Sequence, residues 1–571
     1  MTVATEERTP LAVEAARSAG RCGGAAGACA PMGDAVGRNI SPSLLETRAL
    51  TVRFGSVTAV DGLSYRLDAG RTLAIVGASG AGKTLGCLAL VGLVPSSATV
   101  SGSARFAGRE LVGLGEAELR RYRGREIAIV LQDAAGALNP TMTIGRQIAE
   151  SARLHEQLGR RAAHGRAVEL LGLLGFREPA YAASAYPHEL SGGMRQRALI
   201  AAAIACGPTL LIADEITRSL DTRTCARTLG LLASLKERLG MTLILVSHDL
   251  GLAVRFADEI LVMSGGRAVE RGAAAALLGQ ARTPEARKLV GAMKRIRAGK
   301  RGERTAVADS GARDVLLEAR GIVQEYSRRG GGGTFRALDG VSLTIGRGET
   351  LALVGESGAG KSTLARALLQ RPRPTAGSVV FDGVELTRLS ARSLAELRRR
   401  MPMVFQDPCA SLDPRWSVRA IVEEPLVIAG VDRRARARGV AEALERVGLP
   451  LSIFGSRRPN ELSGGQCQRV ALARALVADP TLVILDEAVA SLDVALQAHM
   501  LELLEALRAE RGLSYLLISH DLAVVRRIAD RIAVLCRGRL CEMGSVEAVF
   551  RRPAHPYTAA LLAARDNLVT P

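Results

Sequence analysis

A chain of 571 residues is too long for one hydrophobic core, and typical domain sizes predict about two to four domains. Its composition, 48% hydrophobic and 23% charged, is that of an ordinary soluble protein, and no run of 18 uninterrupted apolar residues is present to cross a membrane. The net charge of +19 suits nucleic acid, ribosomes or an anionic membrane surface as partners, and charge alone does not choose among them.

Residues 1–43 are predicted to form a disordered N-terminal extension. Small residues dominate this segment, and charges stand where a signal peptide would need an apolar core. Met32 leaves a later start codon open. The nine cysteines of the whole chain are scattered without a C-x2-C pair, so we expect reduced, mostly structural thiols in a cytosolic protein.

Short apolar segments alternate with amphipathic or glycine-punctuated segments after the extension. The segments 71–77, 126–132, 209–214 and 243–248 are typical of strands in a mostly parallel sheet with helices on its faces. Glycine-rich or charged residues follow these strands directly, which is where open α/β sheets bind their ligands. The predicted fold class is therefore α/β.

The first strand runs into the sequence GASGAGKT at residues 77–84, which matches the pattern G-x4-G-K-[ST]. Backbone N–H groups of such a loop cradle phosphates. Lys83 would reach the β and γ phosphates, and the Thr84 hydroxyl would hold Mg²⁺. A second glycine turn, LSGG at 190–193, opens a helix and offers its N-terminal N–H groups to a further anion.

The remaining strand ends carry polar residues as well. Asp214 and Glu215 end an apolar run, and buried carboxylates need a partner for their charge. The first acid suits a Mg²⁺ shell, and the second suits orienting and deprotonating an attacking water. Gln132 and His248 each end a strand, where a single glutamine or histidine would by itself be unremarkable.

Every one of these motifs returns in the second half of the chain. The paired motifs lie 278, 274 and finally 272 residues apart, so insertions fall only in the early part. Two copies of one domain are therefore predicted, at 44–290 and 315–571, and a polar, basic linker at 291–314 joins them. The second set consists of GESGAGKS at 355–362, Gln406, LSGG at 462–465, Asp486 with Glu487, and His520.

P-loop, strand-end Gln, LSGG, Asp-Glu and Ser-His in this order resemble the ATP-binding cassette ATPases, over residues 46–562. The resemblance implies two tandem P-loop NTPase domains, each with a parallel-sheet core and a helical subdomain, that bind ATP and Mg²⁺ and hydrolyse ATP. In that family two cassettes stack head to tail, so that the LSGG turn of one covers the phosphate held by the P-loop of the other. Both cassettes lie within this one chain.

The resemblance also assigns roles residue by residue. The catalytic residues it implies are Glu215, Glu487, His248 and His520. The Mg²⁺ ligands it implies are Thr84, Gln132, Asp214, Ser362, Gln406 and Asp486. The nucleotide-binding residues it implies are Phe54, Gly77, Ser79, Gly80, Gly82, Lys83, Thr84, Ser191, Gly192, Gly193, Tyr326, Gly355, Ser357, Gly358, Gly360, Lys361, Ser362, Thr363, Ser463, Gly464 and Gly465. Phe54 and Tyr326 would stack on adenine.

Within the family, YPHELSGGMRQRALIA and the C-terminal HPYTAALL at 555–562 resemble the ATPases of oligopeptide, dipeptide, glutathione and nickel uptake. This implies two integral-membrane permease subunits as partners, an extracytoplasmic solute-binding protein that supplies the cargo, a peripheral location on the cytoplasmic face of the membrane, and no nucleic acid. The segments 133–188 and 407–460, helical in character, would pass the motion of the cassettes to the permease subunits.

Two other soluble paired-cassette classes compete with this interpretation. DNA-repair ATPases carry zinc-binding cysteine pairs, which the sequence lacks. Ribosome-associated translation factors join their copies by a long charged helix, whereas this linker is short and contains glycine. The net positive charge of the chain remains the best argument for that class. In that family the binding protein and the membrane subunits choose the cargo, so the sequence does not identify the transported molecule. Peptide is the favoured cargo, ahead of nickel complexes, glutathione-like thiols and other small solutes.

Overall fold

The computed structural model describes residues 43–132, 134–217, 220–298, 314–327, 333–489 and 492–569. Apart from Ser43, the extension predicted over 1–43 lies outside these residues. The predicted linker lies outside them from 299 to 313.

The first copy contains strands and helices in the alternating order that the sequence predicts. Its strands are β1 (Leu45–Phe54), β2 (Val57–Leu67), β3 (Thr72–Gly77), β4 (Ala98–Phe106), β5 (Arg109–Glu110), β6 (Ile127–Val130), β7 (Leu210–Asp214), β8 (Thr242–Ser247), β9 (Glu259–Ser264) and β10 (Arg267–Ala273). Its helices are α1 (Lys83–Leu90), α2 (Glu116–Tyr122), α3 (Ala134–Ala137), α4 (Ile144–His155), α5 (Arg160–Leu173), α6 (Pro179–Ser184), α7 (Gly192–Ala203), α8 (Thr222–Leu239), α9 (Leu250–Phe256), α10 (Ala274–Gln280) and α11 (Pro284–Arg297).

The second copy repeats this order. Its strands are β11 (Val315–Ser327), β12 (Thr334–Gly346), β13 (Thr350–Val354), β14 (Ala376–Phe381), β15 (Val384–Glu385), β16 (Met403–Val404), β17 (Leu482–Asp486), β18 (Ser514–Ile518), β19 (Arg531–Cys536) and β20 (Arg539–Ser545). Its helices are α12 (Lys361–Leu368), α13 (Ala391–Arg399), α14 (Val418–Ile428), α15 (Arg433–Arg446), α16 (Leu451–Phe454), α17 (Gly464–Leu476), α18 (Val494–Arg511), α19 (Leu522–Ile528), α20 (Val546–Arg551) and α21 (Pro556–Val569).

A mostly parallel sheet forms the centre of each copy, in the order β10-β9-β3-β8-β7-β6 and β20-β19-β13-β18-β17-β16. Strand β3 lies between the parallel strands β8 and β9, and β10 adds an antiparallel edge. Strands β3, β7 and β8 are buried along their whole length, because elements cover both faces of the sheet. Their carboxyl ends meet at one edge, which confirms the predicted α/β class.

A second, antiparallel sheet accompanies each parallel one and was not predicted. Its orders are β2-β1-β4-β5 and β12-β11-β14-β15. In β1 the pairing with β4 shifts register between Arg48 and Thr51, and Ala49 adopts a left-handed φ of 46°. This bulge interrupts the alternation of apolar and polar residues that identifies a half-buried strand from its sequence.

The segment between β6 and α7 forms a helical subdomain of α3 to α6, and α14 to α16 form its counterpart in the second copy. Ile144 and Ile148 of α4 pack with Leu170 and Leu171 of α5, and this cluster continues onto the parallel sheet. The helical character predicted for both segments is confirmed.

Helix α11 differs from the sequence prediction, since it extends seven residues beyond the predicted domain boundary at 290. Met293 and Ile296 are buried, and the helix packs against α18 and α19 of the second copy. In return, α21 of the second copy packs on α8 and α9 of the first. Leu289, Met293 and Ile296 have the i, i+4, i+7 spacing of one helix face, so the sequence did carry the signal.

Among the residues that the structure describes, no helix combines the length and the apolar character needed to span a bilayer.

Candidate functional site

Each P-loop wraps around a buried lysine at the start of a helix. The Lys83 Nζ donates to the carbonyls of Gly77 and Ala78, both at 2.9 Å. Lys361 does the same with Gly355 at 2.9 Å and Glu356 at 3.0 Å. Each ammonium group is thus held at the centre of its loop. The loops end at the N-termini of helices α1 and α12, where backbone N–H groups point towards an anion site.

Two glycines of the first P-loop are required by its geometry. Gly82, before Lys83, has a left-handed φ of 88°, which disfavours any side chain. A Cβ on Gly77 would lie 2.2 Å from the carbonyl oxygen of Met263, so the loop sits directly against strand β9. The glycines therefore permit both the turn and its close approach to the sheet.

The two glutamates that follow β7 and β17 have a strained backbone. Glu215 adopts φ 46° and Glu487 φ 50°, in the left-handed region that non-glycine residues rarely occupy. Their N–H groups donate at 3.0 Å to the carbonyls of Val246 and Ile518 in the neighbouring strands. Such strain persists where the surrounding structure determines it, and it concentrates at functional sites.

A histidine lies beside each glutamate. His520 Nδ1 is 3.5 Å from Glu487 Oε1, and His248 Nδ1 is 3.8 Å from Glu215 Oε1. Burial would raise the pKa of Glu487, but the hydrogen bond and charge of His520, with the charge of Lys361, outweigh it and lower the pKa. Burial alone would lower the pKa of His520, and the hydrogen bond and charge of Glu487 raise it instead.

Gln406 connects the second glutamate to the helical subdomain. Its Nε2 donates to Glu487 Oε2 at 2.6 Å. The chain runs from Gln406 into the loop that leads to α14, so this hydrogen bond links the glutamate to the start of the helical subdomain. Gln132, at the equivalent position of the first copy, is exposed.

The LSGG turns begin helices α7 and α17. Ser191 caps α7 by accepting from Met194 N at 3.4 Å, and Ser463 caps α17 by accepting from Gln466 N at 3.3 Å. A Cβ on Gly193 would lie 2.6 Å from the Thr224 Cγ2 methyl. The first LSGG turn therefore packs against the start of α8.

The two copies meet where these loops converge. Asp493, the N-cap of α18, accepts from Ser79 N in the first P-loop at 3.4 Å. A Cβ on Gly465 would lie 2.6 Å from Leu496 of the same helix, which places the second LSGG turn beside this contact. His248 and His520 line one cavity of about 160 Å³ between the copies.

Comparison with known proteins decides the family. The family model described as ABC transporter matches residues 60–218 and 338–490, and the model for the oligopeptide/dipeptide transporter C-terminal region matches residues 541–569. This chain belongs to the ABC transporter family. Both cassettes of this ABC ATPase match, as the repeat predicted, and the chain binds and hydrolyses ATP.

Curated relatives of this ABC ATPase match nearly its whole length. The oligopeptide transport ATP-binding protein OppD of Mycobacterium tuberculosis is 39% identical, over 91% of this chain and 98% of that protein. The glutathione import ATP-binding protein GsiA of Salmonella choleraesuis is 40% identical, over 92% of this chain and 90% of that protein. A solved dimeric structure of the bacterial ABC transporter cassette MJ0796 is 30% identical, covers 40% of this chain and 99% of its own, and has a TM-score of 0.38.

The strand-end oxygens of the ABC ATPase fit a Mg²⁺ ion. Asp214 Oδ1 is buried and has no hydrogen-bond partner within the described part of the chain. The Thr84 hydroxyl bonds to the same carboxylate, and Ser362 Oγ donates to Asp486 Oδ1 at 3.0 Å. Burial raises the pKa of both aspartates, and a cation beside them would offset that cost. Carboxylate and hydroxyl oxygens are the ligands that Mg²⁺ prefers.

The predicted adenine platforms lie at the ends of β1 and β11. Phe54 is half-buried against the core of its copy, and Tyr326 is 40% exposed. The strand pairing places Phe335 opposite Tyr326, with its side chain 51% exposed. The repeat comparison did not select Phe335 as a candidate, because Val57 stands at its place in the first copy.

Proposed function

We propose that this ABC ATPase is the energising subunit of an importer for peptides or related small solutes such as nickel complexes and glutathione-like thiols. The matched C-terminal region and the names of two relatives, an oligopeptide transport protein and a glutathione import protein, support this cargo class. Two permease subunits in the membrane and an extracytoplasmic solute-binding protein are the partners that such an importer requires. The chain would work at the cytoplasmic face of the membrane.

The residues at each ATP site have separate roles in hydrolysis. Lys83 and Lys361, with the N–H groups of their loops, hold and neutralise the phosphates of ATP. Glu487 is kept ionised by its lowered pKa, so it can accept a proton from the water that attacks the γ phosphate. His520 orients that carboxylate. Mg²⁺ held by Thr84, Asp214 and the second-copy equivalents would supply charge neutralisation at the phosphates.

The LSGG turn of each copy would complete the site of the other copy. Gly465 lies beside α18, whose cap Asp493 contacts the first P-loop at Ser79. Gly193 lies beside α8, whose first turn contacts the second P-loop. These contacts support the head-to-tail pairing, in which ATP stabilises the closed form and hydrolysis releases it.

The proposal that the helical subdomains bind permease subunits rests on one exposed apolar surface in each copy. Leu154 at the end of α4 is 71% exposed, and its repeat equivalent Ile428 at the end of α14 is 72% exposed. Tyr181 of α6 and its equivalent Ile453 of α16 are also exposed, and in each copy the two helices pack together. An apolar pair exposed at the same place in both copies fits two similar partner helices.

Affinity purification from detergent-solubilised host membranes tests this function. The tagged chain is expected to recover two polytopic membrane proteins. A Leu154→Glu/Ile428→Glu variant should lose them, because charges are placed in an apolar contact. The matched control Val384→Glu, which changes an exposed apolar residue on the antiparallel sheet, should retain them. Recovery of ribosomes without membrane proteins would overturn the importer and favour the translation-factor alternative.

A further inference from the structure

The contacts between the two copies are unequal on their two sides. Thr222 and Arg223 form the first turn of α8 in the first copy. The Thr222 hydroxyl donates to the backbone carbonyl of His520 at 2.7 Å, and Arg223 Nη1 donates to Glu356 Oε1 at 2.6 Å. Both partners belong to the ATP site around Lys361, since Glu356 is part of its P-loop.

The same P-loop is also held from the C-terminal helix. Glu356 N donates to the hydroxyl of Tyr557, on α21, at 3.0 Å. Burial raises the pKa of Tyr557 to about 12. Because α21 packs on α8 and α9 of the first copy, this contact joins the second P-loop to both copies.

The repeat shows that the other side lacks these groups. Val494 and Ala495 stand at the places of Thr222 and Arg223, and Ala78 stands at that of Glu356, so the hydroxyl bond and the ion pair cannot form on this side. Glu285 stands at the place of Tyr557 and is exposed. The hydrogen bond that reaches the P-loop there runs from Ser79 N to Asp493 Oδ2 at 3.4 Å, close to the limit for a hydrogen bond. A second crossing contact, the ion pair of Arg295 with Glu502 at 3.3 Å, joins α11 to α18 and includes no P-loop residue.

We propose that Thr222, Arg223 and Tyr557 form a one-sided latch that makes the ATP site around Lys361 release nucleotide more slowly than the site around Lys83. The latch holds both the P-loop that binds the phosphates and the loop whose His520 contacts Glu487. Nucleotide at Lys361 lies between this P-loop and the first copy, so it leaves only after the latch has opened. The three latch residues are positioning residues, since they act through the groups that touch ATP.

Release of a radiolabelled, non-hydrolysable ATP analogue measures this difference directly. The unmodified chain is loaded with the analogue and Mg²⁺ and then chased with unlabelled ATP. Two phases of release with equal amplitudes are expected. A Lys361→Ala variant assigns the slow phase, because it should remove that phase alone. A single phase in the unmodified chain would overturn the proposal.

Comparison of the two copies supplies matched substitutions, some that should speed nucleotide release at one site and some that should slow it at the other. Thr222→Val with Arg223→Ala copies the other side and should accelerate the slow phase about tenfold, the value of one hydrogen bond and one partly exposed ion pair. Val494→Thr with Ala495→Arg and Ala78→Glu should slow the fast phase instead. Unchanged thermal midpoints show that the variants fold. Equal acceleration of both phases by the first variant contradicts a one-sided latch.

Discussion

At the scale of single residues, the two glutamates after β7 and β17 are the groups that we propose to activate water in hydrolysis. Each is held in a left-handed conformation beside a histidine. Strain that recurs at the same place in both copies indicates that the position of the carboxylate is selected, at a cost of about 1–3 kcal/mol each.

Replacing both glutamates by glutamine tests their role. Glu215→Gln with Glu487→Gln should lower ATP turnover at least about a hundredfold, because the amide cannot accept a proton. ATP binding should persist, since Lys83 and Lys361 are unchanged. Turnover is measured by phosphate release and binding by equilibrium dialysis. Substantial remaining hydrolysis would show that another group activates the water.

The pKa of His520 provides a second test at this scale. In the nucleotide-free chain it lies above the ordinary value of 6.5, because Glu487 outweighs the effect of burial. The associated stabilisation of the fold is complete below pH 6.5 and is lost as the pH rises through the higher folded pKa. Glu487→Gln should move the His520 pKa downwards, since burial then dominates. Histidine NMR titration, assigned with His520→Asn, measures the shift; an unchanged pKa would contradict the pairing.

The sequence identified these residues but not their surroundings. The P-loop lysines and the Asp-Glu pairs could be predicted because each motif is local and occurs twice. The contact from Thr222 to His520 could not, since it joins residues 298 positions apart whose side chains are unremarkable in the sequence. Contacts between the copies depend on how the domains dock, and no local pattern encodes that arrangement.

At the scale of elements, the start of α7 is positioned by its glycines. A Cβ on Gly193 would meet Thr224 Cγ2 at 2.6 Å, and the Thr224 hydroxyl is bonded to Asp221 Oδ2 at 3.0 Å, which resists rotation of the side chain. A Cβ on Gly192 meets nothing within 4 Å. The LSGG turn therefore serves helix packing, in addition to the anion binding proposed for it.

Alanine substitutions test the packing role of the turn. Gly193→Ala should lower the free energy of unfolding by about 1–3 kcal/mol relative to Gly192→Ala, because it forces α7 away from α8. Gly465→Ala should cost less, since the Leu496 methyl that it meets can rotate. Urea denaturation of the three variants measures the order. Equal stability of Gly193→Ala and Gly192→Ala would show that the helices adjust freely.

Elements with strong local patterns were predictable, and those with interrupted patterns were not. Strands β3, β7 and β8 are uninterrupted apolar runs, so their place in a parallel sheet followed from the sequence. The bulge in β1 interrupts the alternation of apolar and polar residues, so the antiparallel sheet was not predicted from the sequence. The predicted domain boundary at 290 falls inside helix α11, because the last residues of this helix, KRIR at 294–297, are dominated by charge, although Ile296 among them is buried.

At the scale of the whole molecule, the last helix of each copy packs on the other copy. Helix α11 packs on α18 and α19, and α21 packs on α8 and α9. Buried side chains of α11 belong to the same apolar cluster as Leu501 and Leu504 of α18. The pairing of the cassettes is thus supported by apolar packing away from the ATP sites, and it does not depend on nucleotide alone.

This packing predicts that the two copies stay together after the chain between them is cut. A cleavage site for a specific protease is inserted between residues 299 and 313, and the products are analysed by size-exclusion chromatography without ATP. The fragments should co-elute, because each buried apolar side chain of α11 contributes about 1.5–3 kcal/mol.

Ile296→Asp should separate the fragments, since it places a charge in the apolar contact at a cost of several kcal/mol. Arg295→Ala is the matched control on the same helix, because it removes only a partly exposed ion pair to Glu502, at 3.3 Å, and should leave the fragments together. Circular dichroism of the uncut variants establishes that they fold. Separation of the unmodified fragments would mean that α11 and α21 do not hold the copies together and that ATP must do so. Co-elution of the Ile296→Asp fragments would instead assign the association to α21 and the loops at the ATP sites.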